Sequence, residues 1–477
     1  MVIPQINTDP GAGESPQEAR LWFVVAISLA AAMGGLLFGW DWVVIGGAKP
    51  FFERYFAISD DPAMSGWANS CALLGCFVGA VSGAALSDFF GRKKPLMLAA
   101  LLFGVTAVGN ALADSFSVFV AWRILSGVAI GLASSLSPLY IAEIAPARIR
   151  GRLVALNQVT IVVGILAAQL INWWLVRDLP VNATDAFIAG SWYGQIAWRW
   201  MFAVTAIPAA LFLIGMAFAP ESPRWLARRR PAEARASLAR IGGEAYAQNA
   251  LREIESTWSD SEKKTGWKSL FAPEVRAALV VGVVLAVFQQ WCGINVIFNY
   301  AEEIFRAAGF DISDVVSNIA WTGSVNLVFT FVALGLVDRM GRKPLMLFGA
   351  ASLAVIYTTL GVCFGAGVSG MPMLVLVLAA IGCYAMSLAP VTWVVISEIF
   401  PNRIRGAAVA VAVGALWLAS FALTYTFPLM NARLGSAGVF YLYACVCAVG
   451  FLFVLRYLRE TKGRTLEELE RSAERAR

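Results

Sequence analysis

Long apolar runs recur along this chain of 477 residues, and no other feature limits its fold so strongly. About 20 helical residues cross a hydrocarbon core roughly 30 Å thick. Lipid offers the backbone no hydrogen-bond partner, so only helices or a closed barrel can span it. The runs lack the period-two alternation of barrel strands, so we predict an all-α membrane protein with twelve transmembrane helices. The predicted spans are residues 22–46, 66–86, 95–113, 116–141, 153–175, 197–219, 275–300, 315–337, 344–366, 371–397, 407–430 and 437–458.

The charge content and its distribution agree with this prediction. Only 14% of the residues are charged, which is too little to cover the surface of a soluble protein of this length. Basic residues cluster in alternate loops, near residues 92–94, 148–152, 228–230, 339–343 and 403–405. The intervening loops carry few cations, chiefly Lys49, Arg54, Arg177, Arg306 and Arg433. Because basic loops stay in the cytoplasm, we expect both termini there. The net charge of +6 is then a matter of topology, and we expect no nucleic-acid partner.

The residue inventory gives little support to metal, cofactor or enzyme chemistry. The chain has no histidine, which removes the commonest metal ligand and the usual proton carrier near neutral pH. Its seven cysteines all fall within predicted spans, where small packing residues are the expected role. We also find no nucleophile–base pair and no phosphate-binding loop. We therefore expect no metal, no cofactor and no enzymatic activity.

One long polar stretch, residues 220–274, divides the predicted spans into two sets of six. We expect one six-helix bundle over residues 21–219 and a second over residues 275–458. The stretch between them is predicted to be a cytoplasmic linker with short helices. Cytoplasmic tails are expected at residues 1–20 and 459–477.

The two halves repeat each other in their loops. The second span is followed by Asp88–Arg92 (DFFGR), and the eighth by Asp338–Arg342 (DRMGR). The fourth is followed by Glu143–Gly151 (EIAPARIRG), and the tenth by Glu398–Gly406 (EIFPNRIRG). An internal repeat in a helical membrane protein points to alternating access, with the substrate held between the halves near mid-membrane.

Charged residues in and near the repeated loops are predicted to form a network on the cytoplasmic side. The Asp and Arg of each loop can pair with Glu143 or Glu398 on neighbouring helices. Such pairs would hold this side shut in one state and break in the other. The alternative is ordinary topological charge with helix capping. The expected members are Asp88, Arg92, Glu143, Arg150, Glu221, Arg224, Asp338, Arg342, Glu398, Arg405 and Glu460.

Three further motifs accompany these loops: Pro220–Leu226 after span six, Glu460–Gly463 after span twelve, and Gln289–Asn295 (QQWCGIN) in span seven. Together, over nearly the whole chain, they resemble the sugar porter family of the major facilitator superfamily. The resemblance implies the major facilitator fold, with two pseudo-symmetric six-helix bundles. It also implies a monosaccharide substrate. Arg459 departs from the pattern, since the family usually has a proline there.

Amide side chains are candidates to hold the sugar. Amides both donate and accept hydrogen bonds, as sugar hydroxyls require. Span seven contains Gln289, Gln290 and Asn295, with Gly293 placed to bend the backbone between them. Buried amides are costly in an apolar span, although they can also serve only to tie helices together. The resemblance adds further substrate-binding candidates: Gln169, Asn299, Asn326, Trp393 and Trp417.

Asp41 in span one and Arg123 in span four are the candidates for proton coupling. A charged Asp near the bilayer centre costs about 2.5–3.5 kcal/mol on insertion scales, so it implies a partner or a function. Counted at about 1.5 Å per residue, both lie at similar depth and can pair. In proton-coupled sugar porters, an Asp and an Arg at these places resemble a proton switch. The alternative is a static ion pair. Thr205 stands where some of these relatives carry an acid.

The predicted function is secondary active transport of a pentose or hexose, by proton symport. A sugar facilitator without proton coupling is the alternative. A non-transporting sugar sensor is the third reading, but sensors usually add a long cytoplasmic tail, and about twenty residues follow the last span here. The expected partners are a monosaccharide, a proton and the lipid bilayer. We expect a monomer in a bacterial inner membrane.

Overall fold

The protein is helical along nearly all of the chain that the computed structural model describes. No strand occurs among the described residues. These are residues 20–146, 149–180, 183–256, 273–400, 405–458, 460 and 462.

The helices fall into two halves and a linker. The first half contains α1 (Leu21–Tyr55), α2 (Pro62–Phe90), α3 (Lys93–Ala111), α4 (Phe116–Ile144), α5 (Arg150–Val176), α6 (Asp185–Gly190), a π-helical turn (Tyr193–Ala197), α7 (Trp198–Ala203) and α8 (Ala206–Phe218). The linker contains α9 (Pro223–Ala227), α10 (Pro231–Gly242) and α11 (Glu244–Ser256). The second half contains α12 (Pro273–Trp291), α13 (Ile294–Asn299), α14 (Ala301–Ala307), α15 (Ile312–Met340), α16 (Arg342–Gly365), α17 (Met371–Ala385), α18 (Leu388–Glu398) and α19 (Arg405–Tyr457).

Eleven helical stretches of the described chain are long and apolar enough to cross a membrane. The last, Ala407–Tyr457, has 51 residues, about twice the length that one crossing needs. Its Gly435 has φ 68° and ψ 168°, which is not a helical conformation. The stretch therefore turns at Gly435 and crosses twice, which confirms the predicted twelve helices.

Two predicted spans of the second half are broken helices. Span seven ends as α12 at Trp291 and resumes as α13, because Gly293 takes a left-handed conformation at φ 88°. Glycine adopts this conformation without a Cβ penalty. Span ten breaks between α17 and α18, where Ser387 has φ −129° and ψ −87°.

Span one is longer than the sequence predicted. The prediction ended it at residue 46 and assigned Lys49 and Arg54 to a loop, but α1 continues to Tyr55 and includes both. Nζ of Lys49 lies 2.8 Å from a carboxylate oxygen of Glu53, one helical turn further on. This neutralised charge is cheaper to bury than an isolated one, so the helix extends beyond the apolar run.

The bundle has two different ends. We call the end that carries the Gly91–Arg92 and Gly341–Arg342 turns the basic face, and the other end the opposite face. At the opposite face the halves touch directly. A Cβ at Gly66 of α2 would lie 2.5 Å from the carbonyl oxygen of Tyr425 in α19, and one at Gly46 of α1 would overlap the carbonyl oxygen of Phe298 in α13. Glycine thus permits the backbones to meet there.

Candidate functional site

The structure brings Asp41 of α1 and Arg123 of α4 together inside the first half. Nη1 of Arg123 lies 2.6 Å from Oδ1 of Asp41, and the residues are 2% and 4% exposed. Oδ2 of Asp41 has no hydrogen-bond partner among the described residues. The guanidinium carbon of Arg123 lies 5.4 Å from the ring centroid of Phe202, a cation–π contact. One carboxylate oxygen thus holds the arginine, while the other remains available as a hydrogen-bond acceptor.

Two narrow cavities flank this carboxylate. The first is lined in part by Asp41, Asn69, Arg123 and Asn299. Asn299 belongs to α13, so this cavity lies between the two halves and connects the ion pair to the broken helix. The second cavity lies within the first half and reaches Thr205. The ion pair therefore lies next to the contact between the two halves.

The three amides of span seven form a hydrogen-bond chain. Nε2 of Gln289 donates to the hydroxyl of Tyr384 at 2.5 Å, and Nε2 of Gln290 donates to Oε1 of Gln289 at 2.5 Å. Nδ2 of Asn295 donates to Oε1 of Gln290. The break at Gly293 returns Asn295 towards Gln290, which a straight helix would not do. Because each carboxamide has two donor hydrogens and an acceptor oxygen, the chain leaves positions for sugar hydroxyls.

Further buried amides come from other helices. Nε2 of Gln169 in α5 donates to Oγ1 of Thr322 in α15 at 3.1 Å, a hydrogen bond between the halves. Asn326 lies one turn beyond Thr322 and is 6% exposed. Oε1 of Gln169 and Oδ1 of Asn299 have no partner in the described part of the chain. Unsatisfied buried acceptors cost about 1–3 kcal/mol each, so a hydroxyl donor from a ligand would be stabilising at either one.

The two candidate tryptophans have different surroundings. Trp417 of α19 is 1% exposed, and its ring centroid lies 5.9 Å from that of Phe38 and 6.0 Å from that of Trp42, both in α1. It therefore packs the halves together. Trp393 of α18 is 37% exposed, so part of its indole remains accessible. Of the two, Trp393 has the ring surface on which a sugar face can rest.

Matching ion pairs hold the repeated loops at the basic face. Arg92 forms a bidentate pair with Glu143, with both distances 2.8 Å. In the other half, Nη2 of Arg342 lies 3.0 Å from Oε1 of Glu398. Each pair joins a loop to a helix of its own half, and the geometry of one half repeats that of the other.

Two further glutamates repeat in the same way. A carboxylate oxygen of Glu221 accepts a hydrogen bond from the backbone N–H of Arg92 at 2.8 Å. Glu460 likewise accepts from the backbone N–H of Arg342 at 3.0 Å. These carboxylates lie at the N-termini of α3 and α16, where negative charge is stabilising.

Other predicted members of the network have less definite roles. Asp88 and Arg224 are exposed, and the structure describes no ion pair for either. Arg150 is half-buried, and its Nε lacks a hydrogen-bond partner among the described residues. The side chains of Asp338 and Arg405 lie outside those that the structure describes.

Comparison with known proteins identifies the family to which the chain belongs. A family model described as "Sugar (and other) transporter" matches residues 27–473. The chain belongs to this sugar transporter family. As a sugar transporter it is a multi-pass membrane protein and not an enzyme, and the resemblance found in its loop motifs is confirmed.

Individual relatives of this sugar transporter are similar over their full length. It is 39% identical to the D-xylose-proton symporter of Escherichia coli, over 94% of this chain and 95% of the relative. It is also 39% identical to the arabinose-proton symporter of Bacillus subtilis, with the same coverage. An inward open structure of the xylose transporter from E. coli matches with a TM-score of 0.82 and 36% identity, over 94% of this chain and 99% of that one.

The same transporter bound to 6-bromo-6-deoxy-D-glucose matches with a TM-score of 0.78 and 38% identity, over 95% of this chain and 99% of that one. These likenesses confirm that this sugar transporter has the major facilitator fold.

Sequence reasoning missed Tyr384, the hydroxyl that ends the amide chain. It lies in α17, three residues before the break at Ser387 in span ten, and is 8% exposed. The predicted sugar contacts were amide and indole side chains, and no phenol was among them. A tyrosine deep in an apolar span is itself a signal, because a buried hydroxyl needs a hydrogen-bond partner.

Proposed function

We propose that this sugar transporter moves a monosaccharide together with a proton by alternating access. One observation carries the proposal: Asp41 is buried within a membrane span, is paired with Arg123 at 2.6 Å, and has a second oxygen with no partner in the part of the chain that the structure describes. A carboxylate in that position is costly unless it serves a function. The relatives described as xylose-proton and arabinose-proton symporters support the same reading.

In the proposed mechanism, protonation of Asp41 weakens its hold on Arg123. Neutralising the carboxylate removes most of the attraction, so the guanidinium is free to move. Asn299 of the second half borders the same cavity as both residues. The change in charge therefore acts on the contact between the halves, and it changes which end of the bundle opens.

We place the sugar between the halves, against Gln289, Gln290 and Asn295, with Trp393 as the stacking surface. Gln169, Asn299 and Asn326 are the proposed additional hydrogen-bond partners. The substrate class is a pentose or hexose, because neutral amides beside an indole suit hydroxyls and C–H faces. Trp417 contributes by closing the interface around the sugar, since its ring packs on α1.

We also propose the membrane, oligomeric state and orientation of the transporter. The transporter works as a monomer in a bacterial inner membrane. Both termini and the basic face lie in the cytoplasm, as the distribution of Lys and Arg predicts. The opposite face then meets the outside, where the sugar and the proton arrive.

An uptake assay tests the proposed coupling. Purified protein in proteoliposomes is given radiolabelled pentoses and hexoses, with and without an inward proton gradient. Wild-type protein should accumulate at least one sugar above equilibrium only with the gradient. Asp41→Asn mimics the protonated residue and should lose accumulation while it still exchanges sugar at equal concentrations. Asp114→Asn is a matched control, because its carboxylate is 88% exposed, and it should behave as wild type.

The other outcomes decide against the proposal. Sugar equilibration by the wild type that the proton gradient never drives above equilibrium means a facilitator. Binding without any uptake means a sensor. Accumulation by Asp41→Asn means that the proton travels through another group.

A further inference from the structure

Charged side chains from both halves meet at the opposite face, where the end of α1 packs against α14. Nζ of Lys49 in α1 lies 2.8 Å from Glu53 on its own helix and 2.5 Å from Glu303 of α14. Glu302 of α14 lies 3.9 Å from the same nitrogen. Lys49, Glu53 and Glu302 are only 3%, 4% and 6% exposed. We call these four residues the gate cluster.

Further charged and polar side chains surround the gate cluster. Arg54 of α1 has Nη1 3.6 Å from Glu302 and Nη2 2.9 Å from Asp185. Arg306 pairs with Glu302 within α14 at 3.4 Å. Ser65 of α2 donates a hydrogen bond to Glu53 at 2.6 Å. Lys49 contacts carboxylates of both halves at the centre of the gate cluster, and Arg54 makes a second bridge at its edge, from Asp185 of the first half to Glu302 of the second.

The gate cluster lies where the halves must separate. Just beneath it, Gly46 of α1 meets the backbone of Phe298 in α13 so closely that a Cβ would overlap the carbonyl oxygen. Opening this face moves α1 away from α13 and α14, which breaks the contact between Lys49 and Glu303. Within its own half Lys49 keeps Glu53, and Glu302 keeps Arg306, so these pairs persist after separation.

We propose that Lys49 is a gating residue, whose ammonium neutralises carboxylates of both halves and thereby holds the opposite face closed. This inference rests on the proposed alternating-access transport. Without Lys49, closing the face would bring Glu53 of one half against Glu303 of the other with no described cation between them, because Arg54 and Arg306 both pair with Glu302. Like charges repel strongly in a poorly solvated site. In the open state the same carboxylates are apart and hydrated, so removal of Lys49 costs much less there.

A distance measurement across the opposite face tests this role. Spin labels are placed at Asp60→Cys in the α1–α2 loop and Ala366→Cys in the α16–α17 loop, which are exposed positions in different halves. The exposed Cys445 is replaced by serine. Electron–electron resonance then reports the populations of short and long distances. Lys49→Met should raise the ratio of open to closed molecules about tenfold or more, because an essential buried partner is gone.

Matched variants separate gating from general damage. Lys49→Arg keeps the charge and should keep the wild-type distribution. Arg177→Met removes an exposed cation of the same face and should also leave it unchanged. If Lys49→Met does not fold, the double variant Glu302→Gln/Glu303→Gln can be used instead. It removes the carboxylates that Lys49 contacts on the other half and should likewise favour the open form.

A folded Lys49→Met protein with the wild-type distance distribution would overturn the proposal. So would opening by Lys49→Arg as large as that by Lys49→Met, because side-chain shape and not charge would then be responsible. The measurement needs no proton gradient and no sugar. Failure of the gate is therefore distinguishable from failure of proton coupling, which the uptake assay reports separately.

Discussion

At the scale of single residues, the hydrogen-bond chain from Asn295 through Gln290 and Gln289 to Tyr384 is central to the proposed sugar site. Gln290 is one of its two interior members, and it joins Asn295 to Gln289 by accepting from the first and donating to the second. Removal of this amide therefore deprives the sugar of one partner and misplaces two more. The other members then have unsatisfied groups, which cost about 1–3 kcal/mol each when buried.

Gln290→Ala should weaken sugar binding about tenfold or more. Binding is measured by isothermal titration or by quenching of tryptophan fluorescence. Asn172→Ala is the control, because Asn172 is also a fully buried amide but bonds the backbone of Val44 within the first half, at 3.1 Å. It should lower stability without a comparable loss of affinity. Unchanged affinity in Gln290→Ala would remove this chain from the sugar site.

The residue types that sequence reasoning could identify are those whose burial is costly. Asp41 and Arg123 were predicted to pair because they lie at equal depth in apolar spans, and the structure joins them at 2.6 Å. Lys49 was instead assigned to a loop. Its partners Glu302 and Glu303 are about 250 residues away in the chain, and no local pattern indicates that the fold will bring them together.

At the scale of helices, the break in span seven positions the amides. Gly293 has φ 88°, and a Cβ there would lie 2.7 Å from the ring of Tyr443. Both the positive φ and the lack of room for a Cβ therefore require glycine at this position. The sequence predicted a bend here, because Gly293 separates amides that would otherwise spread around a regular helix. The break at Ser387 in span ten carries no comparable glycine or proline signal at that residue, and it was not predicted.

Gly293→Ala should lower the melting temperature and weaken sugar binding at the same time, since a shift of α13 displaces Asn295 from Gln290. Two control variants separate an effect on stability from an effect on sugar binding. Gly335→Ala lies in α15 with no atom of the described residues within 4 Å of the added Cβ, so it should change neither property. Gly435→Ala places an alanine at a positive φ, with no atom of the described residues within 4 Å of the added Cβ. It should therefore lower the melting temperature and leave sugar binding unchanged. Wild-type binding by Gly293→Ala would contradict the positioning role of the break.

At the scale of the whole molecule, the two halves repeat an ion pair and a helix cap at the basic face. Arg92 with Glu143 corresponds to Arg342 with Glu398. The repeated loop sequences were enough to predict these pairs. The sequence could not show that the described pairs close within each half, because pairing within a half and pairing across the halves use the same charges.

Glu143→Gln and Glu398→Gln should therefore have similar effects. Each removes a partly buried carboxylate from its arginine and should lower stability by about 1 kcal/mol or more. Because each pair lies within one half, its loss loosens the helix ends of that half at the basic face. We therefore expect this face to open more readily in both variants, which labelling of an introduced cysteine from that side would detect. Glu233→Gln is the control, because Glu233 forms an exposed pair with Arg230 in the linker. Labelling equal to wild type in both variants would mean that these charges serve topology alone.

The central claim is that one molecule carries sugar and proton in the same step. Sugar-driven proton movement tests it most directly, in proteoliposomes with equal pH on both sides and a dye that reports internal pH. Addition of a transported sugar outside should acidify the interior of wild-type liposomes, and it should produce no pH change with Asp41→Asn, although that variant still exchanges sugar. Sugar uptake by the wild type without acidification would contradict the claim.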